Sequence, residues 1–120
     1  MNSIPTLTTT FRAQGAVAKR RLVALAAATG LAVQASAATD AIAGVSTDID
    51  SPDGRPCDVI RSGIAPVVYG NTVTAGQPIT SDAQGKAIAA TAGQRIVGFA
   101  EVSGVAGDIG AVHIAPGFAA

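Results

Sequence analysis

The sequence has little of what most catalytic and metal sites need. Its 120 residues include one cysteine, Cys57, and one histidine, His113. A lone cysteine excludes an internal disulfide, so the cysteine count does not require an oxidising compartment. One cysteine and one histidine are also too few ligands for an ordinary zinc site. His113 is interpreted as a strand-face histidine and Cys57 as a structural cysteine, although the two would meet if two halves of the fold faced each other.

Charge and aromatic side chains are also scarce, at 13% and 3% of residues, and the eight Lys and Arg residues balance the eight Asp and Glu residues. This balance argues against a nucleic-acid-binding protein that neutralises phosphates. A core of Ala, Val and Ile removes little apolar area from water per residue. A chain of this length therefore forms one modest domain that gains stability from copies of itself or from a large partner.

Two short motifs are similar to ligand-binding loops but lack necessary residues. In the Gly85-Lys86-Ala87 segment, Ala87 replaces the hydroxyl residue of a phosphate-binding loop and Thr80 replaces its first glycine. The carboxylates of Asp48, Asp50 and Asp53 lack the glutamate that completes a calcium loop, so they are interpreted as a solvated acidic turn. No catalytic residue, metal site or cofactor is predicted.

Short apolar runs alternating with turn residues make up most of the chain after Arg21. The turn signals include Ser51–Gly54 and Gly107-Asp108. This pattern predicts an all-β fold, a small Gly/Ala-rich barrel or sandwich, over residues 21–120. Leu22–Ala28 is the one stretch whose composition favours a helix. Residues 1–20 are polar and Thr-rich, and we expect an extended N-terminal arm or a frayed terminus.

The stretch KRRLVALAAATGLAVQASA supports two hypotheses. A basic start, an apolar run and the small-residue pattern Ala35-Ser36-Ala37 are typical of a secretory signal cleaved near Ala37. The same residues alternate like two strands joined at Thr29-Gly30. A long polar segment before Arg20 is unusual for a signal, and cleavage would remove both strands.

The chain also contains a faint internal repeat. Ile42–Val45 matches Ile96–Phe99, and Gly54–Val59 loosely matches Gly107–Val112. Each half is therefore expected to contain a strand, a polar loop and an antiparallel returning strand, as suits a closed or nearly closed β-structure.

From Ala41 to Gly117, roughly two-thirds of the chain, the sequence resembles the decoration or cement proteins of tailed-bacteriophage capsids. The matching phrases occur in family order. They are Ala41–Val45, Val59–Gly63, Val73–Ala87, Val97–Ala100 and Gly107–Gly117. Gln77 departs from the pattern, which often has an acidic residue there.

The resemblance implies a compact, β-tulip-like domain without enzymatic activity or cofactor. Such a protein is made in the host cytoplasm and binds the outer surface of the major capsid protein lattice, typically as a homotrimer, where it stabilises the expanded head. It implies no nucleic-acid or membrane partner, and it favours the strand hypothesis for the signal-like stretch. The alternative function is a small exported bacterial β-protein, matured near Ala37.

The N-terminal arm is the candidate capsid-binding segment. Threonines favour extended geometry, an arm can add a strand to a neighbour's sheet edge, and Phe11 is a candidate anchor. The predicted binding residues are Thr6, Leu7, Thr8, Thr9, Thr10, Phe11 and Arg12. The basic side chains of Arg12, Lys19, Arg20 and Arg21 either pair with acidic groups on the shell or are simply solvated.

Overall fold

The computed structural model describes residues 4–26 and 30–118, and every named secondary-structure element in these residues is a β-strand. This confirms the all-β prediction. The strands are β1 (Ile4–Ala13), β2 (Leu22–Leu25), β3 (Leu31–Gln34), β4 (Ile42–Ser46), β5 (Pro56–Val68), β6 (Pro78–Ser81), β7 (Ala87–Ala89), β8 (Arg95–Ala100) and β9 (Ile109–Phe118).

The first half of the chain forms a closed barrel in the order β1-β3-β2-β4-β5, with β5 returning to β1. β1 and β3 are parallel and pair through Arg12 and Ala13, whereas the other neighbours are antiparallel. Closure gives every strand of the barrel wall a neighbour on each side, although β3 pairs with β1 only at the C-terminal end of β1. The structure therefore confirms the predicted barrel.

The signal-like stretch contributes the strand pair β2 and β3, so Leu22–Leu25 is a strand although its composition also favours a helix. β2 has β3 on one edge and β4 on the other, and it buries Leu22, Val23 and Ala24. Pairing on both edges outweighs the helix propensity of Ala and Leu. Residues 27–29 of this stretch lie outside the described residues.

The second half repeats this arrangement around the same long strand. The C-terminal part of β5 pairs with β9, followed in order by β8, β6 and β7. A parallel bridge between Tyr69 and Ala87 connects the end of β5 back to β7. The molecule is thus a closed barrel and a second half of similar strand order that one isolated bridge closes, and both use β5.

Matching hydrogen bonds confirm the predicted internal repeat. Ala13 accepts a backbone hydrogen bond from Gly54, as Tyr69 does from Gly107. The bridge of Val17 to Ser51 likewise corresponds to that of Val73 to Gly104. Residues 12–21 therefore correspond to 68–77, and the β4–β5 hairpin corresponds to the β8–β9 hairpin.

One turn of this repeat requires a residue with positive φ in both halves of the chain. Gly76 has a φ of +90°, and the corresponding residue, Arg20, has a φ of +54°. Of the non-glycine residues that the structure describes, only Arg20 has a positive φ. The first half therefore places an arginine in a left-handed conformation that the second half gives to glycine.

Tyr69 is the largest fully buried side chain of the described core. Its hydroxyl group donates a hydrogen bond of 2.7 Å to the carbonyl oxygen of Val102. The ring fills the space over Gly110, where a Cβ atom would collide with it. Burial raises the pKa of Tyr69, against a smaller opposing effect of a hydrogen bond with the Ala111 backbone.

Candidate functional site

The predicted binding segment lies in β1 and pairs with β5 of its own chain. The antiparallel register places Thr8 opposite Ile60 and Arg12 opposite Pro56, with irregularities on both sides of Leu7. The segment is extended, as its threonines predict. Its pairing with a neighbouring chain stays a prediction, as does the division between an arm (1–20) and a domain (21–120).

Side chains near the C-terminal end of β1 are tied to β5. The Thr10 hydroxyl group donates a 2.6 Å hydrogen bond to the Asp58 carboxylate. The half-buried Phe11 ring packs against a core cluster, and the Arg61 guanidinium lies 5.6 Å from the ring centroid. A cation at this distance is attracted to the ring face. The predicted anchor Phe11 is therefore engaged within its own chain.

The remaining binding candidates differ in exposure. Leu7 is 50% exposed, which makes it the most accessible described apolar side chain of the segment. Thr8, Thr10 and Arg12 are also exposed, and Thr9 is half-buried. Thr6 lies at the backbone irregularity between Pro5 and Leu7. A partner approaching β1 would thus meet leucine and threonine side chains.

The edge of β1 that faces away from β5 is largely unpaired. On that edge, β3 pairs with Arg12 and Ala13, and no other strand in the described part of the chain reaches residues 4–11. Unpaired N–H and C=O groups along a strand edge are a template for another strand. This edge can accept an extended segment of a partner without disturbing the β1–β5 pairing.

The basic residues near this strand divide into two groups. Lys19 is exposed and Arg20 is half-buried in a turn beside the β4–β5 loop. The Arg21 guanidinium instead donates a 2.8 Å hydrogen bond to the Gln84 carbonyl, in the second half of the molecule. Arg21 therefore helps to connect the two halves of the molecule.

The segment similar to a phosphate loop is part of the same connection. Gly85 accepts a backbone hydrogen bond of 2.8 Å from Leu22, and the Asp82 carboxylate accepts the Gln84 and Lys86 amides of its own turn. A Cβ atom on Gly85 would lie 2.8 Å from the Gln34 side chain. This turn packs on the first barrel, where the close approach suits glycine.

Cys57 and His113 do not meet. Cys57 is buried in the first barrel, and His113 is exposed on β9 opposite Ile64, seven residues further along β5. At about 3.3 Å per residue, roughly 20 Å separates them. Burial raises the pKa of the Cys57 thiol, against a smaller lowering effect of a hydrogen bond with Ser51.

Two of the three clustered aspartates hold a neighbouring loop in place by accepting backbone hydrogen bonds from it. Asp50 accepts the Lys19 amide and Asp53 accepts the Gly15 amide, each at 2.8 Å. Within residues 4–26 and 30–118, no group of three His, Cys, Asp or Glu side chains is arranged to hold a metal ion. The same part of the chain contains no helix long and apolar enough to cross a membrane.

An exposed apolar turn lies between β8 and β9 and was not predicted from the sequence. Val102, Val105 and Ile109 are each more than one-third exposed there. The signal was available in the repeat, because Val105 corresponds to Pro52 and Ile109 to Pro56. Both members of each pair are apolar residues in or beside a solvent-exposed turn.

The fold and this site define a small β-barrel protein with free apolar and strand-edge surfaces. The model of the phage cement protein family matches residues 1–116, and the chain belongs to that family. A search of curated proteins found no match. The crystal structure of the head fiber gp8.5 N base of bacteriophage phi29 has a similar fold. It aligns with a TM-score of 0.70 at 19% identity, over 91% of this chain and 93% of that one.

The family match includes the whole signal-like stretch, and the confirmed resemblance is to structural proteins of the phage head. The chain is therefore a structural component of a phage virion. Two parts of this stretch, Leu22–Leu25 and Leu31–Gln34, form paired strands of the barrel, which agrees with that assignment.

Proposed function

We propose that this protein binds the outer surface of the major capsid protein lattice and stabilises the expanded phage head. It does so without enzymatic activity, after synthesis in the host cytoplasm, and it associates with itself on the shell as a homotrimer. The family match over residues 1–116 carries this proposal. The balanced charge and the two unpartnered surfaces support it.

The outer edge of β1 is the proposed contact with the capsid protein. Adding a strand there satisfies main-chain donors and acceptors on both partners, which gives affinity without requiring a second core. The exposed Leu7 side chain adds apolar contact in the middle of that edge. The remaining proposed contacts are Thr6, Thr8, Thr9, Thr10, Phe11 and Arg12, with Phe11 acting from its half-buried position.

A protein bound to the shell in this way stabilises it by mass action. A protein that binds only the expanded lattice lowers the free energy of that state by RT ln(1 + L/Kd) for each site, where L is its free concentration. Many copies resist rupture together, because neighbouring capsomers must break several contacts at once. A modest affinity per copy is therefore sufficient.

Binding of purified protein to expanded heads made without it tests this proposal. Leu7→Asp should weaken binding by about tenfold or more, because half a leucine side chain is no longer buried and a charge is brought to the interface. Leu25→Asp is the matched control, since Leu25 is 45% exposed and lies on β2. Equal loss in both variants, or none in Leu7→Asp, contradicts the assignment to β1.

A further inference from the structure

The two hairpins of the repeat place similar turns at opposite ends of β5. End one comprises residues 12–20 and 47–56, beside the start of β5. End two comprises residues 68–76 and 101–109, beside its C-terminal end, where Val68 pairs with Ile109. The pairing of corresponding residues makes the two ends structurally comparable.

Both ends have the same turn geometry. Arg55 donates a backbone hydrogen bond of 3.0 Å to Pro52, and Asp108 donates one of 3.0 Å to Val105. The glycine in each turn has positive φ, +78° at Gly54 and +89° at Gly107. Differences between the side chains of the two ends are therefore not required by the backbone.

Exposed apolar residues occupy corresponding places at the two ends. Pro52 and Pro56 at end one match Val105 and Ile109 at end two, and all four are exposed. Each loop also exposes one aliphatic side chain nearer its start, Ile49 at 66% and Val102 at 38%. Each end therefore exposes three apolar side chains that packing within the chain does not bury, and we call these three its apolar centre.

Charge distinguishes the ends. End one has the basic residues Arg12, Lys19, Arg20 and Arg55 against the acidic residues Asp48, Asp50 and Asp53, a net charge of +1. End two has Glu101 and Asp108 and no basic residue, a net charge of −2. Lys19 corresponds to Ala75 and Arg20 to Gly76, while Arg55 corresponds to Asp108. The difference thus follows from substitutions at matching positions.

We infer that end two of one copy binds end one of a second copy, head to tail. This inference rests on the proposed self-association of the chain and identifies the surfaces that make it. The apolar centres of the two ends meet, and the rims around them have opposite net charge. Opposite net charges favour this pairing over a contact between two like ends. Two copies of end two, for example, repel each other. Such a heterologous contact closes into a ring when the rotation allows it.

Sedimentation of the full-length protein over a range of concentrations tests the inference. The wild-type protein should form multiples of the protomer mass, and added salt should weaken the association. Glu101→Lys and Lys19→Glu should each weaken it by roughly fivefold, since each reverses an exposed rim charge. The double variant should associate more tightly than Lys19→Glu alone, because its end two carries no net charge to repel the net charge of −1 on its end one.

Ala92→Lys is the control, because Ala92 is exposed in the β7–β8 turn, at the other end of β8 from Glu101. It should associate like the wild-type protein. Val105→Asp should weaken association by roughly tenfold or more, through the apolar centre. Circular dichroism of each variant establishes that it is folded.

A protomer mass at every concentration overturns the inference, as does a double variant no stronger than the weaker single variant. Binding of the same proteins to heads separates this inference from the proposed function. Wild-type protein that binds heads but never self-associates in solution refutes the head-to-tail contact alone. Protein that self-associates but does not bind heads refutes the capsid-binding proposal alone, and end-two variants that lose only head binding assign that end to the capsid protein.

Discussion

Gly98→Ala should destabilise the fold strongly, because the backbone of β9 leaves no room for a side chain at Gly98 on β8. A Cβ atom at this position would collide with the carbonyl oxygen of His113 and lie 2.8 Å from the Ala115 amide nitrogen. These are backbone atoms, which no side-chain rotation can move away. The register of β8 with β9 is also irregular between Ile96 and Gly98, as at a β-bulge.

The cost follows from the hydrogen bonds that separation of the strands would break. Moving β9 outward by about an ångström strains at least two main-chain hydrogen bonds, and each buried group left unpaired costs about 1–3 kcal/mol. We expect a loss of about 3–5 kcal/mol, from a total of roughly 6–18 kcal/mol for a domain of this size. The midpoint of thermal unfolding should fall by about 10–20 °C.

Gly117→Ala is the matched control on the same strand pair. Its Cβ atom would meet one side-chain atom, in Ile96, at an ordinary distance of 3.9 Å. Alanine is favoured over glycine in a strand by about 0.5–1 kcal/mol, so this variant should be neutral or slightly more stable. Chemical denaturation measures both variants, and a Gly98→Ala protein as stable as the control would refute the close approach.

Three further predictions concern stability. Tyr69→Phe should cost about 1 kcal/mol in denaturant unfolding, because the Val102 carbonyl loses its donor; no change would contradict that hydrogen bond's contribution. Burial raises the pKa values of Cys57 and Tyr69 above their ordinary 9.0 and 10.0, so the folded state retains these protons more tightly. Their contribution to stability should be intact below pH 9 and decline as pH rises through these values, with a smaller decline in Tyr69→Phe; a flat profile contradicts this. A chain starting at Ala38 should lack cooperative unfolding by circular dichroism, because it loses β1, β2 and β3, and a cooperative transition would contradict their role in the core.

Local sequence patterns were sufficient to predict the strands and their turns. The segment Ile42–Val45 is repeated as Ile96–Phe99, and each copy begins one of the two hairpins. Each copy has a glycine, Gly44 or Gly98, where the paired strand approaches closely. A Cβ atom on Gly44 would collide with Ile60 as one on Gly98 would with His113. The alternation in LAVQ likewise predicts a strand.

Features that depend on long-range pairing were not predictable from the sequence. Leu22–Leu25 has helix-forming residues, and its strand state depends on the distant Ile42–Val45 segment as a partner. The position of β1 beside β5 depends on the register of Thr8 with Ile60, which no local pattern encodes. The apolar turn at Val105 was overlooked because exposure is a property of the folded surface.

Attachment to the phage head is the central claim, and one measurement tests it most directly. Expanded heads prepared without this protein are mixed with the purified chain and separated by sedimentation, and their resistance to heat is then measured. We expect the chain to sediment with the heads to saturation and to raise the temperature at which they rupture. Heads that bind none of it, or that rupture at the same temperature when saturated with it, would contradict the account.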